Sequence, residues 1–388
     1  MTSIIYGKVR RVVIVMPWHI SERGGGAEVQ ANYLGQELAQ RGFDVYYLCQ
    51  TIKLEKVGTT IVIGDLHVNW LKQSGKFQWL DQNKYFKALE KLKPDLVIQR
   101  LSSNVTFVAG KYCRKNNARF VWICTDNLSP YRNHSVRRFK QRFSQKNISL
   151  LRYFIFLLNS KIIDYYRNRG MKYVDLAFTQ NDFQAEVLER EFGLSSQRMI
   201  SGHPLPEKNI SVKQRLQNKI VLWCGNLGKY KRPEIFIHLA KKMQDSGLHF
   251  VMVGGHSDSK YVDGLFANAP SNLDYIGQVS FKDSLQWFDK AAVLVNTSIS
   301  EGFSNTYIQA WLRGVPVIVF GADPDNIIQK NKLGYGVLGL SDAMVKISRL
   351  FCDIRAYKTL SENVAAYAYG KYTREQMTDN FLSSLQNQ

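Results

Sequence analysis

The sequence has little cysteine, and what it has is unpaired in spacing. Cys49, Cys113, Cys124, Cys224 and Cys352 are scattered through 388 residues without a C-x-x-C pair. That excludes a zinc ribbon and a secreted disulfide scaffold, and a reducing, cytoplasmic location is expected. Long hydrophobic runs are missing too. The best, Tyr153–Leu158, is closed off by Arg152 and Asn159, far short of the ~18 residues of a membrane span. Val12–Met16 is shorter than the roughly 7–15 residues of an export-signal core, so no such signal is expected. Acid is scarce: 32 Asp/Glu face 52 Lys/Arg, a net charge of +20. What is present is ordinary globular composition, 45% hydrophobic and 22% charged, which excludes a disordered or low-complexity chain. At roughly 100–200 residues per domain, the length predicts two domains.

The positive charge is uneven. Residues 1–200 carry 31 Lys/Arg against 16 Asp/Glu, and residues 201–388 carry 21 against 16. Such asymmetry speaks about partners rather than fold. The densest stretch, Tyr131 to Lys172, holds Arg132, Arg137, Arg138, Lys140, Arg142, Lys146, Arg152, Lys161, Arg167, Arg169 and Lys172 around one acid, Asp164. Phe139, Phe143, Leu150, Leu151, Tyr153, Phe154 and Phe156 are interleaved with them. A basic-aromatic surface lying on an anionic membrane fits this pattern. So does a helix pair packed on its own domain with a solvated basic face. Nucleic acid fits poorly, because no recognition module accompanies the charge.

Hydrophobic patterning predicts alternating strands and helices. Val12–Met16 reads as a buried strand, Gly24–Gly26 as a loop, Ala27–Arg41 as a helix ended by Gly42, and Val45–Cys49 as the next strand. Further strands are predicted at Thr60–Ile63, Leu96–Ile98, Phe120–Cys124 and Leu176–Thr179. Residues 201–219, polar and carrying Pro204 and Pro206, read as a linker. A second alternation follows. Its strands are predicted at Ile220–Trp223, His249–Val253, Leu273–Ile276, Val293–Asn296 and Val315–Phe320. Helices are predicted over Pro233–Ser246, 282–290 and Ser304–Arg313. The fold class is α/β, with two Rossmann-like halves.

Ligands of open α/β sheets bind beyond the carboxyl ends of the strands, and three motifs fall there. Gly24-Gly25-Gly26-Ala27-Glu28 opens a helix, where bare backbone can approach an anion. Gly225-Asn226-Leu227-Gly228-Lys229-Tyr230-Lys231-Arg232 also leads into a helix. Three cations at the positive end of a helix call for an anion, and a diphosphate is the natural candidate. Glu301-Gly302-Phe303-Ser304-Asn305-Thr306 places an acid and a first helical turn at the same strand ends, with Gln309 able to reach a vicinal diol. Asp323-Pro324-Asp325 spells a metal-binding D-x-D, but its position after a strand reads as a capped turn. The histidines have no metal-ligand spacing, and no metal is expected.

Taken together, Gly25-Gly26-Ala27-Glu28, the Gly225 to Lys231-Arg232 segment, Glu301-Gly302-Phe303-Ser304 and Gly314-Val315-Pro316-Val317 resemble the retaining glycosyltransferases of family 4. The resemblance covers nearly the whole chain. It implies a GT-B fold: two Rossmann-like domains facing across a cleft, with a closing helix crossing back to the first. The implied bounds are 1–205 for an acceptor-binding domain, 206–366 for a nucleotide-sugar-binding domain and 367–388 for the closing helix. It implies a nucleotide-sugar donor, a UDP-sugar by preference, and no further cofactor. Lys231, with Lys229 or Arg232, would neutralise the diphosphate. Glu301 would hydrogen-bond hydroxyls of the transferred sugar, and Gly302, Phe303, Ser304, Asn305 and Thr306 would hold the sugar and distal phosphate. Gln309 would bind the ribose, Asn226 would lie beside the diphosphate, and Gly24, Gly25 and Gly26 would close over it.

Three positions depart from the family's pattern. Gln309 stands where a second acid is usual, Asn226 where an arginine is frequent, and Thr125-Asp126 where many members have His-Asp. Asp126 is kept as an acceptor-orienting residue. The expected function is retaining sugar transfer to a lipid-linked or membrane-associated glycan of a cell-surface polysaccharide. The protein would be peripheral on the inner, anionic face of a membrane and would have no nucleic-acid partner. A sugar-nucleotide epimerase of the same fold and a non-catalytic scaffold are the alternatives.

Overall fold

The computed structural model describes residues 9–143, 149–207, 210–256 and 259–386. The chain divides into two compact units, Met1–Gly202 with Arg374–Gln388, and His203–Thr373. Residues 203–205, expected in the first domain, and 367–373, expected with the closing helix, thus belong to unit 2.

Unit 1 is built on an eight-stranded sheet. Its strands are β1 (Arg11–Val15), β2 (Asp44–Thr51), β3 (Thr60–Ile63), β4 (Leu66–Lys72), β5 (Leu96–Gln99), β6 (Arg119–Ile123), β7 (Leu176–Thr179) and β8 (Gln197–Arg198). The order is β3-β4-β2-β1-β5-β6-β7-β8, parallel throughout except for the β3–β4 hairpin. Val12, Val13 and Ile14 are fully buried, as a strand covered by helices on both faces requires. Val13, Leu48, Leu89, Val97, Val108 and Phe120 form one side of the core. Trp122, Met171, Ala177 and Leu188 form another cluster.

The helix after β1 runs Gly26–Gln40, within a residue of its expected start. Gly42 ends it at φ 90°, a conformation that favours glycine. The last helix, Arg374–Gln386, belongs to this unit and packs on Gly26–Gln40. Phe381 stacks on Phe178 at 5.4 Å, and Arg374 pairs with Glu37 at 2.8 Å.

Unit 2 carries six strands: β9 (Ile220–Cys224), β10 (His249–Val253), β11 (Leu273–Gly277), β12 (Val293–Asn296), β13 (Val317–Val319) and β14 (Gly334–Gly336). All are parallel, in the order β11-β10-β9-β12-β13-β14. Trp223, Phe236, Phe250, Val293 and Tyr357 sit in its core. The strand expected over Val315–Phe320 narrows to β13, since Pro316 has no N–H to give a ladder. The helix expected over Pro233–Ser246 stops at Lys242 and tightens into a 3₁₀ turn at Gln244–Ser246. The turn satisfies carbonyls at the helix end: the Met243 N–H reaches both Leu239 and Ala240.

Candidate functional site

The carboxyl ends of β9, β12 and β13 bring the expected donor-site residues of unit 2 together. The loop after β9 holds Lys231 in a 3₁₀ turn, and the loop after β12 holds Glu301. Lys231 Nζ donates to Glu301 Oε1 in an ion pair whose side chains are 30% and 14% exposed. Asn296, the last residue of β12, donates to the same carboxylate oxygen at 3.4 Å, while its own Oδ1 accepts from Ser298 N at 2.9 Å. Thr297 Oγ1 accepts from the buried Trp223 Nε1 at 2.9 Å and donates to the Lys231 carbonyl at 2.6 Å. The core of the sheet therefore fixes the backbone that carries Lys231. Neither Asn296 nor Thr297 was picked out by sequence; the signal was the buried indole of Trp223, which needs an acceptor.

Arg232 does something other than the sequence suggested. Its Nε donates to the Thr297 carbonyl at 2.7 Å, and its Nη2 to the carbonyls of Phe320 at 2.9 Å and Ser298 at 3.2 Å. The guanidinium ties together the loops after β9, β12 and β13. It does so from a left-handed backbone, φ 48°, just before Pro233 opens the next helix. Asn226 and Lys229 are exposed on the same loop. Gly254 is required there: at φ 150°, a Cβ would fall 1.8 Å from the Gly225 carbonyl oxygen. Cys224, at the end of β9, is no nucleophile, since burial pushes its thiol up to about 12.

The block after Glu301 is held by its aromatic. Phe303 packs on Tyr372 and Trp311 at 5.5 and 6.2 Å. Gly302 and Ser304 are buried, Asn305 and Thr306 half-buried, and the Ser304 and Thr306 hydroxyls bond at 2.8 Å. The following helix, Asn305–Trp311, carries Gln309 at 4% exposure. Asp323 of the D-x-D accepts from the amides of Ile328 at 2.9 Å and Gln329 at 3.3 Å. It is a helix cap, with a carboxyl raised above its ordinary value by burial.

In unit 1, Gly24, Gly25 and Gly26 lead from β1 into the helix as expected, and Gly25 is its N-cap. Glu28 folds back over this end. A Cβ on Gly25 would lie 2.5 Å from Glu28 Oε2, so the carboxylate uses the space that glycine leaves. Burial raises the Glu28 carboxyl, against the pull of amide bonds from its own residue and Gly25 and of nearby Arg100 and Arg23. Arg100, just after β5, is 2% exposed, and its Nε and Nη1 find no partner among the described residues. Nothing in the sequence singled it out.

Asp126 has a local task. It accepts from Leu128 N at 2.9 Å and Ser129 N at 3.0 Å and pairs with Arg138. Burial would raise its carboxyl, but Arg138 and His134 hold it below the ordinary range. Its oxygens anchor the turn after β6.

The basic stretch resolves into two helices, His134–Phe143 and Leu150–Met171; Lys146 lies outside the described residues. The two helices pack on each other and on unit 1, as the helix-pair reading expected. Phe139, Phe143, Tyr153 and Phe156 pack between the helices, with ring centres 4.9 to 6.0 Å apart. Asp164 is buried and accepts from Ser135 N and Val136 N, and fully buried Arg167 donates to the carbonyls of Tyr131 and Ser129. Yet Leu150, Leu151, Phe154, Ile155 and Leu158 stay exposed, from 41% to 78%. They recur at i, i+1, i+4, i+5 and i+8, one continuous helix face. Lys140 and Arg142 are exposed on the first of the two helices, Arg152 and Lys161 on the second. No helix among the described residues is long and apolar enough to cross a membrane.

Each unit matches the sequence pattern of a known family. The sequence pattern of the family described as Glycosyltransferase Family 4 matches residues 24–200, and that of Glycosyl transferases group 1 matches residues 218–350. HepE of Anabaena, solved in complex with UDP-glucose, superposes with a TM-score of 0.72 at 14% identity, covering 97% of this chain and 100% of that one. Sucrose-phosphate synthase of Thermosynechococcus elongatus gives 0.71 at 15% identity, over 96% and 97% of the two chains. WaaG, a glycosyltransferase involved in lipopolysaccharide biosynthesis, gives 0.68 at 12%, over 96% and 98%. At these identities the likeness to the solved structures is one of fold, and the fold is GT-B. No curated protein matches the chain in sequence.

Proposed function

The chain belongs to glycosyltransferase family 4, and we propose that it transfers a hexose, with retention, from a UDP-sugar to a membrane-associated glycan. The observation that carries this reading is the Lys231–Glu301 pair at the carboxyl ends of β9 and β12, set by the sheet through Trp223 and Thr297. Lys231 neutralises the diphosphate, helped by exposed Lys229 and by the amides of Gly302 to Thr306. Glu301 accepts hydrogen bonds from the hydroxyls of the transferred sugar, and Gln309 meets the ribose. In the reaction the bond from the anomeric carbon to the diphosphate oxygen breaks, and its electron pair leaves with UDP. The acceptor hydroxyl bonds the same carbon on the same face, and its proton goes to the departing phosphate. The charge that develops on UDP meets a cation already in place. HepE, solved with UDP-glucose, supports UDP as the nucleotide.

The membrane part of the reading rests on the exposed Leu150–Leu158 face and the exposed Lys and Arg of the same helix pair. Exposed apolar side chains on a helix pair that also exposes Lys and Arg complement an anionic bilayer, where the acyl region takes the former and phosphates the latter. The acceptor would be lipid-linked on the inner leaflet.

Calorimetric titration with UDP, GDP and ADP, followed by turnover of the matching sugar nucleotides, tests the donor site. Selective UDP binding and acceptor-dependent transfer are expected. Interconversion of a UDP-sugar without acceptor would point to an epimerase, and no nucleotide binding to a scaffold. Flotation with anionic vesicles tests the surface. Leu151→Glu with Phe154→Glu should abolish flotation and leave UDP binding intact, whereas unchanged flotation would refute the docking face.

A further inference from the structure

The outer strand of a sheet presents a row of unpaired N–H and C=O groups that another strand can take up, and proteins usually guard it by shortness, charge or a bulge. Three of the four sheet edges here carry such a guard. β8 has two residues, and its Arg198 pairs with Asp182. β11 carries Asp274, and its pairing with β10 shifts register between Met252 and Val253. β14, Gly334–Gly336, is three residues long.

β3 has no charge to guard it. Thr60-Ile61-Val62-Ile63 is β-branched throughout, and residues 58–64 include neither a charged residue nor a proline. Ile61 and Val62 are 37% and 62% exposed. The strand's one partner in the sheet is β4. The phase of that hairpin decides which backbone groups are left over. Trp70 N donates to the Thr59 carbonyl at 3.1 Å, which makes Thr59 and Trp70 a hydrogen-bonded pair. Bonded and non-bonded pairs alternate along an antiparallel ladder. Ile61, opposite Val68, and Ile63, opposite Leu66, therefore direct their amides and carbonyls to β4. Thr60 and Val62 direct theirs outward, where no backbone bond closes the edge among the described residues.

We propose that β3 pairs with β3 of a second copy of this chain, antiparallel about a two-fold axis at Ile61, so that two eight-stranded sheets become one. In this register Thr60 of each chain lies opposite Val62 of the other. The Thr60 and Val62 amides of one chain donate to the Val62 and Thr60 carbonyls of the other, which uses every outward group of the strand. Ile61 meets Ile61 as a non-bonded pair, the kind with the closer side chains. β-branched side chains meet across the whole seam and support each other.

Charge favours a second copy over a foreign strand. The chain carries +20, so two copies repel unless they meet where neither is charged. Residues 58–64 are such a run, bounded by Lys56 on one side and Asp65 on the other. The antiparallel register carries the Lys56 end of each strand toward the Asp65 end of the other, opposite charge to opposite charge. Each chain has one such edge, so the pairing closes at two copies instead of growing into a fibre. A strand of four residues offers less than the roughly 1,600 Å² of a standard interface, which sets the dimer in the micromolar range. The inference is independent of the transferase reading.

The test is sedimentation velocity of the full chain at rising concentration, up to about 200 µM. Monomer should give way to dimer. Val62→Pro removes an outward N–H without touching the β4 ladder, and Val62→Lys puts charge on the neutral edge. Each should weaken the dimer about tenfold or more. Val62→Lys, at an exposed position, keeps the test valid should the proline variant fail to fold, and its melting temperature in dilute, monomeric solution should match that of the unaltered chain. Register is read by cross-linking in a Cys352→Ser background, which removes the exposed thiol. With an added oxidant, Ile61→Cys should give a disulfide-linked dimer and Ile63→Cys none, because only position 61 lies opposite itself. A chain that stays monomeric throughout would overturn the inference and leave the edge to solvent or a foreign strand. A dimer that survives both Val62 variants, or that does not link through Ile61→Cys, would place the contact elsewhere and overturn it as well.

Discussion

Replacing Lys231 by alanine separates binding from stability, and both magnitudes follow from the ion pair. The ammonium is the cation fixed beside Glu301, and its charge-assisted bond to a diphosphate is worth roughly 1.5–3 kcal/mol. UDP affinity should therefore fall about ten- to a hundredfold. The same change strips Glu301, 14% exposed, of its cationic partner, while the 3.4 Å contact from Asn296 stays. A fully buried broken pair costs about 3–5 kcal/mol; with Lys231 30% exposed, water screens much of that, and about 1–2 kcal/mol remains. Glu301→Gln is the counterpart. It keeps the shape, removes the negative charge beside the nucleotide site and frees the ammonium, so UDP should bind equally or more tightly while turnover collapses. Titration calorimetry with UDP gives the first quantity, thermal unfolding the second and sugar transfer the third. Equal weakening of UDP binding by both substitutions would refute the assignment of cation to phosphate and acid to sugar.

Acid should destabilise unit 1 early. Burial, with Lys56 nearby, drives His19 down to about 4, and burial with Arg138 and Arg167 drives His134 to about 3, against an ordinary 6.5. Bases held neutral when folded stabilise fully above about pH 6.5 and lose that stability as pH falls toward 4 and 3. Each should cost about 2 kcal/mol at pH 5, so the urea midpoint should drop between pH 7 and 5, and His19→Gln with His134→Gln should flatten the dependence; a midpoint that ignores pH would contradict it. Arg232→Ala should destabilise unit 2 by about 2–3 kcal/mol, through three carbonyls left without a donor, as read by thermal unfolding. Gly254→Ala should cost about 3 kcal/mol or more and abolish UDP binding, because its Cβ would collide with the Gly225 carbonyl; a folded variant that still binds UDP would mean the loop can move.

Much of the fold was legible because parallel strands buried on both faces read as short apolar runs. Val12–Met16, His249–Val253 and Val293–Asn296 were placed to within a residue for that reason. β4 was missed: Leu66, Val68 and Trp70 alternate with His67 and Asn69, and so short a half-buried pattern does not stand out beside loops. The Lys231 and Glu301 motifs were legible as chemistry, because glycine, cations and an acid gather where a strand meets a helix. Their partners were not. Asn296 and Thr297 act across 65 or more residues on Lys231 and Trp223 or within a bend at Glu301, and a linear pattern carries no such distance.

By itself, the sequence determined the α/β class, the two-unit organisation and the segments that carry cation and acid, because periodicity, turn residues and local charge are properties of neighbours along the chain. Only the tertiary structure decided which charges are available. Arg232, Arg167 and Asp126 look in sequence like binding groups, yet each is engaged by carbonyls, amides or an opposite charge brought from elsewhere. Gln99 and Asn104 look unremarked in sequence, yet folding buries them with oxygens unpaired. The physical reason is that a polar group's work depends on whether its hydrogen bonds are already made, and most of the partners that make them lie far away in the chain.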